Sequence, residues 1–140
     1  MIVIGAAGGT GFAKFFAQEG ANVLCNDVGF AIMEEGGDFD VTRPSHDEAD
    51  RIVNEIRAMG GTAEPDYSDA SDWNQARGIV EHCMDVFGSC DIVIHASVVS
   101  RLGMIDELTE EEWNLVIRHN LNTNFFVTHF SLPYMKKNNF

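Results

Sequence analysis

A chain of 140 residues is long enough to bury one domain core, and 45% hydrophobic against 22% charged residues is the balance of a folded protein rather than a disordered one. Twenty-two acidic against nine basic residues give a formal net charge of −13, which disfavours nucleic acid and anionic membrane as partners. Three cysteines (Cys25, Cys83, Cys90) in apolar surroundings read as reduced thiols, no apolar run has membrane-span length, and Met1 leads into a strand with no basic leader, so the expected compartment is the cytoplasm.

The chain opens on an apolar strand, Met1 to Ile4, that breaks into Gly5-Ala6-Ala7-Gly8-Gly9-Thr10-Gly11 before a helix expected over Gly11 to Glu19. Such a turn aims the helix's unpaired N–H groups and the positive end of its dipole at the space above it, where a pyrophosphate fits. Gly5, Gly8, Gly9, Thr10 and Gly11 are therefore the candidate phosphate contacts. Gly5 allows the positive φ of a tight turn, Gly9 leaves bare backbone for the phosphates, and Gly11 lets the helix approach the strand. Phe12, Phe15 and Phe16 give the helix its apolar face, and Gly20 ends it.

Ala21 to Asn26 reads as a second strand buried on both faces, and it ends in Asp27, 22 residues after Gly5. An acid at that distance closes the second strand of a dinucleotide-binding unit and accepts hydrogen bonds from the adenosine ribose. A carboxylate there repels the extra phosphate of NADP, and no Arg or Lys lies in the turn or directly after Asp27 to receive it, so the expected cofactor is NAD. An ordinary glycine-rich loop or a solvated Asp explains either feature alone, but not both at this spacing.

Residues 28–44 show no sustained period and read as a surface loop, either lying beside the adenosine or a solvated insertion. Ser45 to Glu48 is a capping box opening a helix with Ala49, Ile52, Val53, Ile56 and Met59 on one face, stopped by Gly60-Gly61. A third strand, Thr62 to Glu64, turns at Pro65-Asp66-Tyr67-Ser68-Asp69, and Asp69 or Ser71 caps a third helix that runs to Gly88. Asp91 to Ala96 is a fourth strand, apolar enough to be central. Three β-α-β units in succession give an α/β fold, a Rossmann-type doubly wound parallel sheet of strand order 3-2-1-4, with ligands above the carboxyl ends of the strands. A second capping box, Thr109 to Glu112, starts a helix that carries Asn120 and then the apolar Phe125, Phe126, Val127, Phe130 and Leu132.

These residues resemble the short-chain dehydrogenase/reductase family, whose usual turn is Thr-Gly-x-x-x-Gly-x-Gly. Asn26-Asp27-Val28-Gly29, the long loop and Ala49 to Gly61 are similar to the branch holding the dehydrogenase domain of the peroxisomal multifunctional enzyme and its bacterial relatives, which makes the peroxisome the alternative compartment. The resemblance implies an NAD-dependent oxidoreductase acting on a small-molecule secondary alcohol or ketone, and a homo-oligomer joined partly through the apolar stretch after Asn120. It gives Asp66 and the Tyr67 backbone the adenine, makes Asn120 the helix-bending residue of the proton relay, and places His95-Ala96-Ser97-Val98 where the family has Asn-Asn-Ala-Gly. His95 and Ala96 then stand beside the adenine pocket, with the loss of the Gly altering the local turn.

The family's Tyr-x-x-x-Lys has no counterpart: Tyr67 is followed four residues on by Ser71, and Tyr134 by Asn138. On the resemblance, residues 1–140 are the N-terminal part of one dinucleotide-binding domain, with the fifth strand, the Ser and the Tyr-x-x-x-Lys beyond Phe140. The isolated chain is then expected to be inactive, and to self-associate or be partly unfolded. The histidines and cysteines show no ligand spacing, so no metal site is expected. The altered segment His95 to Val98 supports a second reading, a non-catalytic dinucleotide-binding or regulatory α/β module.

Overall fold

The computed structural model describes residues 1–29, 31–32, 39–40 and 45–137, the four at 31–32 and 39–40 through their backbone alone. In chain order the elements are β1 (Ile2–Ile4), α1 (Thr10–Gln18), β2 (Asn22–Asn26), β3 (Ala31–Ile32), β4 (Phe39–Asp40), α2 (Asp47–Ala58), β5 (Thr62–Asp66), α3 (Trp73–Phe87), β6 (Val93–His95), α4 (Glu110–Val116), a π-helical turn (Ile117–Asn122) and α5 (Thr123–Lys137). The main sheet is parallel in the order β5-β2-β1-β6, which is third-second-first-fourth among its own strands. Most of the 28–44 loop lies outside the described residues; within it, β3 and β4 pair antiparallel.

Alternation along the buried strands feeds two cores. Val3, Val23 and Cys25 point to one face and meet Ala13, Ala17, Ile52, Val53 and Ile56 of α1 and α2. Ile2, Ile4 and Leu24 point to the other and meet Ala76, Ile79, Val80 and Cys83 of α3 and Val127 of α5. Burial pushes the Cys25 thiol up to about 12, so it stays protonated in the core. Among the described residues no helix is long and apolar enough to cross a membrane.

Local expectations fail where tertiary partners compete for a group. On α1 the buried residues are Ala13 and Ala17, while Phe12 and Phe15 face outward, because small side chains let the helix lie close to the sheet. The box at Ser45 does not form. The Ser45 N–H goes to the Gly29 carbonyl at 2.8 Å, and the Glu48 carboxylate is held by Arg51 at 2.6 Å, so His46 is the N-cap without a side-chain bond. The box at Thr109 does form, with both reciprocal bonds to Glu112.

Asp72 caps α3, in place of Asp69 or Ser71, accepting from the N–H groups of Asn74 and Gln75 at 3.0 and 2.9 Å. Asp69 is drawn away by the Ser71 N–H at 2.8 Å and by Arg118 at 3.2 Å. β5 runs two residues beyond Glu64, pairing Pro65 with Cys25 and Asp66 with Asn26. β5 is an edge strand of the sheet, the position where a Pro without an N–H is tolerated.

Candidate functional site

Turns after all four parallel strands, together with the π-helical turn, enclose a cleft of about 780 Å³ above the carboxyl ends. Gly5 and Gly8 follow β1, Asn26 and Asp27 end β2, residues 68–71 follow β5, residues 96–99 follow β6, and His119 closes the far side.

The glycine turn is shaped by amides that point back into the sheet. The Gly5 and Ala6 N–H groups both donate to the Asn26 carbonyl, at 2.9 and 3.0 Å, and Gly9 N–H closes on the Gly5 carbonyl at 2.9 Å. Ala7 N–H donates to Asp27 Oδ2 at 2.8 Å, and Asp27 Oδ1 accepts the Gly29 N–H at 2.8 Å. The N–H groups of Gly8 and Gly11 have no acceptor among the described residues, which leaves them for an anion above the helix start.

Steric room assigns the glycines differently from the sequence reading. Gly5 has φ of +71°, and a Cβ there would lie 2.6 Å from the Ser97 backbone. At Gly9 a Cβ would meet Val3 Cγ1 at 2.6 Å, whereas at Gly11 nothing lies within 4 Å. Gly9 therefore provides the close helix-to-strand approach and Gly11 the open backbone, the reverse of the expectation, because the helix begins one residue earlier and turns Gly9 inward.

Of the expected contacts, Gly5, Gly8, Asp27 and Ala96 line the cleft; Gly9, Thr10, Gly11, Asp66, Tyr67 and His95 stand outside its lining. Thr10 Oγ1 donates to the Ala7 carbonyl at 2.9 Å. The Tyr67 phenol donates to Asp50 at 2.5 Å, a bond that pushes its pKa up to about 12, and its ring stacks on His46 with centroids 3.9 Å apart. His95 turns toward α5, with Nε2 3.5 Å from Thr128 Oγ1 and Nδ1 buried without a partner. Burial lowers its pKa.

Asn120 sits in the π-helical turn and grips the segment after β6 through its side chain. Its Oδ1 accepts the Val99 N–H at 2.8 Å, and its Nδ2 donates to the Val99 carbonyl at 2.8 Å. With the Ala96 N–H donating to the Ile4 carbonyl at 2.8 Å, this fixes residues 96–99 without the family's glycine.

Several residues of the cleft escaped the sequence reading: Asn26, Asp69, Ser71 and His119. Arg118 binds Ser71 Oγ at 3.0 Å and so ties the turn after β5 to the π-helical turn. Burial lowers the pKa of His119. A signal for Asp69 was present, since the Asp-x-Ser pattern occurs twice, at 66–68 and at 69–71.

A family model described as short chain dehydrogenase matches residues 26–140. The chain belongs to that family. It is 34% identical over 141 residues to the peroxisomal multifunctional enzyme type 2 of Drosophila melanogaster, covering 99% of this chain and 22% of that protein. It is 30% identical over 138 residues to the 3-oxoacyl-(acyl-carrier-protein) reductase of Thermotoga maritima, covering 97% of this chain and 50% of that protein. A crystal structure of a short chain dehydrogenase from Mycobacterium avium superposes with a TM-score of 0.79 at 33% identity, over 97% of this chain and 46% of that one. A metagenomic short-chain oxidoreductase in complex with NADP has a TM-score of 0.82 at 21% identity and shares the fold. The chain thus spans half or less of the length of the two curated relatives it matches here.

Proposed function

We propose that the protein is an NAD-dependent oxidoreductase that moves hydride between nicotinamide and a secondary alcohol or ketone. Asp27 carries the reading. Among the described residues each of its oxygens accepts one backbone N–H, which leaves a lone pair on each for the two hydroxyls of an adenosine ribose. Gly5 and Gly8 bring bare backbone to the cleft, where any Cβ would strike the segment after β6. The residues fit a dinucleotide. When bound, its nicotinamide supplies the hydride donor or acceptor.

The chain's own work is binding and placement: Asp27 would orient the ribose, the Gly8 amide would face the pyrophosphate, and Asn120 holds the segment after β6 in place. A phenol beside an ammonium is what the proton exchange needs, and residues 1–140 contain no Tyr-x-x-x-Lys. Residues 1–140 are expected to bind dinucleotide without turnover; cofactor-dependent oxidation of an alcohol by them, abolished in Asn120→Ala, would refute this division.

Cofactor choice is tested by titrating the full-length protein with NADH and NADPH. The parent should prefer NADH by about tenfold or more, and Asp27→Ala should lose most of that preference, as expected for removal of one charged hydrogen-bonding group. Equal affinities in the parent would remove Asp27 from this role. We further assign a cytoplasmic homo-oligomer, with the outward Phe125 of α5 at the contact. The departure at His95-Ala96-Ser97-Val98 favours one other reading, a dinucleotide-binding module without catalysis; tight binding with no turnover in the full-length protein would decide for it.

A further inference from the structure

The glycine turn takes its shape from one carbonyl, that of Asn26, and what holds Asn26 is a buried carboxylate. Asn26 is 2% exposed and Asp66 7%. They face each other across the β2–β5 ladder, and Asn26 Nδ2 donates to Asp66 Oδ1 at 2.9 Å. The same Nδ2 donates to the Ser68 carbonyl at 2.9 Å, while the Ser68 N–H returns to Asp66 Oδ1 at 3.0 Å. Asp66 Oδ2 lies 2.8 Å from Nδ1 of His82 on α3. The Asp66 carbonyl accepts the Asp27 N–H at 2.9 Å, and the Asn26 carbonyl accepts those of Gly5 and Ala6. An unbroken chain of hydrogen bonds therefore runs from α3 through both strand ends into the turn. Asp66 Oδ1 thus has both acceptor sites filled and Oδ2 one of its two, and the residue has no share in the cleft lining.

We infer that Asn26 and Asp66 form a buried brace that positions the glycine turn for its ligand, with His82 anchoring the brace to α3, and that Asp66 does not itself touch the nucleotide. Both are positioning residues. The brace rests on the dinucleotide reading for its purpose, but not for its existence. A buried amide is suited to the place because it offers two donors to a carboxylate and a carbonyl that both need one. An acid in its place would set two carboxylates against each other, so that the pair would hold together only with a shared proton.

Three variants of the full-length protein test the inference: Asn26→Asp, Asp66→Asn and Asp66→Leu. Affinity is measured for NADH and for the reduced hypoxanthine analogue, which lacks the adenine amino group, from about pH 8 to about pH 5.5. In Asn26→Asp, NADH affinity should fall about tenfold or more at the alkaline end and recover on acidification, as the raised pKa of the pair restores the hydrogen bond. The parent's own profile, measured with His82 and Asp27 in place beside the pair, is subtracted. Asp66→Asn keeps an acceptor for Asn26 and Ser68 and gives neutral His82 a donor, so it should bind both ligands as the parent does; Asp66→Leu should lose affinity for both equally.

Loss in Asp66→Asn of a preference for NADH over the hypoxanthine analogue would overturn the inference, because Asp66 would then touch the adenine. So would an Asn26→Asp affinity that equals the parent's at every pH. Amide hydrogen exchange at Gly5 and Ala6, measured without ligand, keeps the two claims apart. Exchange should be faster in Asp66→Leu, and in Asn26→Asp at the alkaline end. A parent that binds neither NADH nor NADPH refutes the dinucleotide reading while exchange still decides the brace; unchanged exchange in both variants refutes the brace alone.

Discussion

β1 and β6 are hydrogen-bonded neighbours with similar side chains and end at the same cleft, yet they are held in different ways. Ile2, Val3 and Ile4 are at most 1% exposed, whereas Val93, Ile94 and His95 are all half-buried. β1 lies between β2 and β6 and sends side chains into both cores; β6 has only β1 beside it among the described residues. Residue type therefore does not set burial here; the number of covered sides does. The turn after β1 is fixed by packing and by amides donated to β2, while the segment after β6 depends on the Asn120 clasp.

The sharpest way to break this comparison is to truncate an isoleucine on each strand. Ile2→Ala removes a fully buried side chain and should cost about 2–5 kcal/mol. Ile94→Ala, at a half-buried position, should cost less than about half as much, since only part of its surface leaves water. Urea denaturation of both variants checks it, and equal losses would mean that β6 is as fully covered as β1.

Asn120→Ala ranks next. It deletes two hydrogen bonds and leaves the Val99 backbone groups without their partner, for a cost of about 1–3 kcal/mol. Hydrogen exchange at Val99 should quicken while exchange at Gly5 stays as in the parent, if the two sides of the cleft are held independently.

The smallest effect concerns pH. Burial lowers the pKa of both His95 and His119, so the folded state favours their neutral forms. Below their unfolded pKa, about 6.5, the unfolded chain binds more protons than the folded one, and stability falls as pH falls. The stabilisation is whole above that value and is lost progressively on acidification. Stability curves at about pH 7.5 and 5.5 should show the drop, reduced in His119→Gln; an identical drop in that variant would remove His119 as a contributor.

Much of the fold was legible in the sequence. Of the five apolar positions expected on one helical face, Ala49, Ile52, Val53 and Ile56 are buried and Met59, at the helix end, is exposed; the β-α-β succession implied the observed strand order. Asp27 was legible as a cleft residue because one strand, one turn and one helix set its distance from Gly5, so its place follows from local geometry. Thr109 and Glu112 bind as their spacing predicts, through bonds that stay within one helical turn.

What only the tertiary structure decided are the close approaches and the competitions between partners. Whether Gly9 or Gly11 bears the packing depends on Val3, on the strand before the turn, and on Ala96, distant in sequence, meeting a Cβ that neither glycine has. Whether Asp66 or Asp69 reaches the cleft depends on how far β5 pairs with β2: two more residues of ladder place Asp66 opposite Asn26 in the interior and leave residues 68–71 to form the wall. Periodicity is a property of neighbours along the chain and can be read from them. The end of a ladder and the partner of a carboxylate are settled by groups from other elements, and only folding brings those within reach.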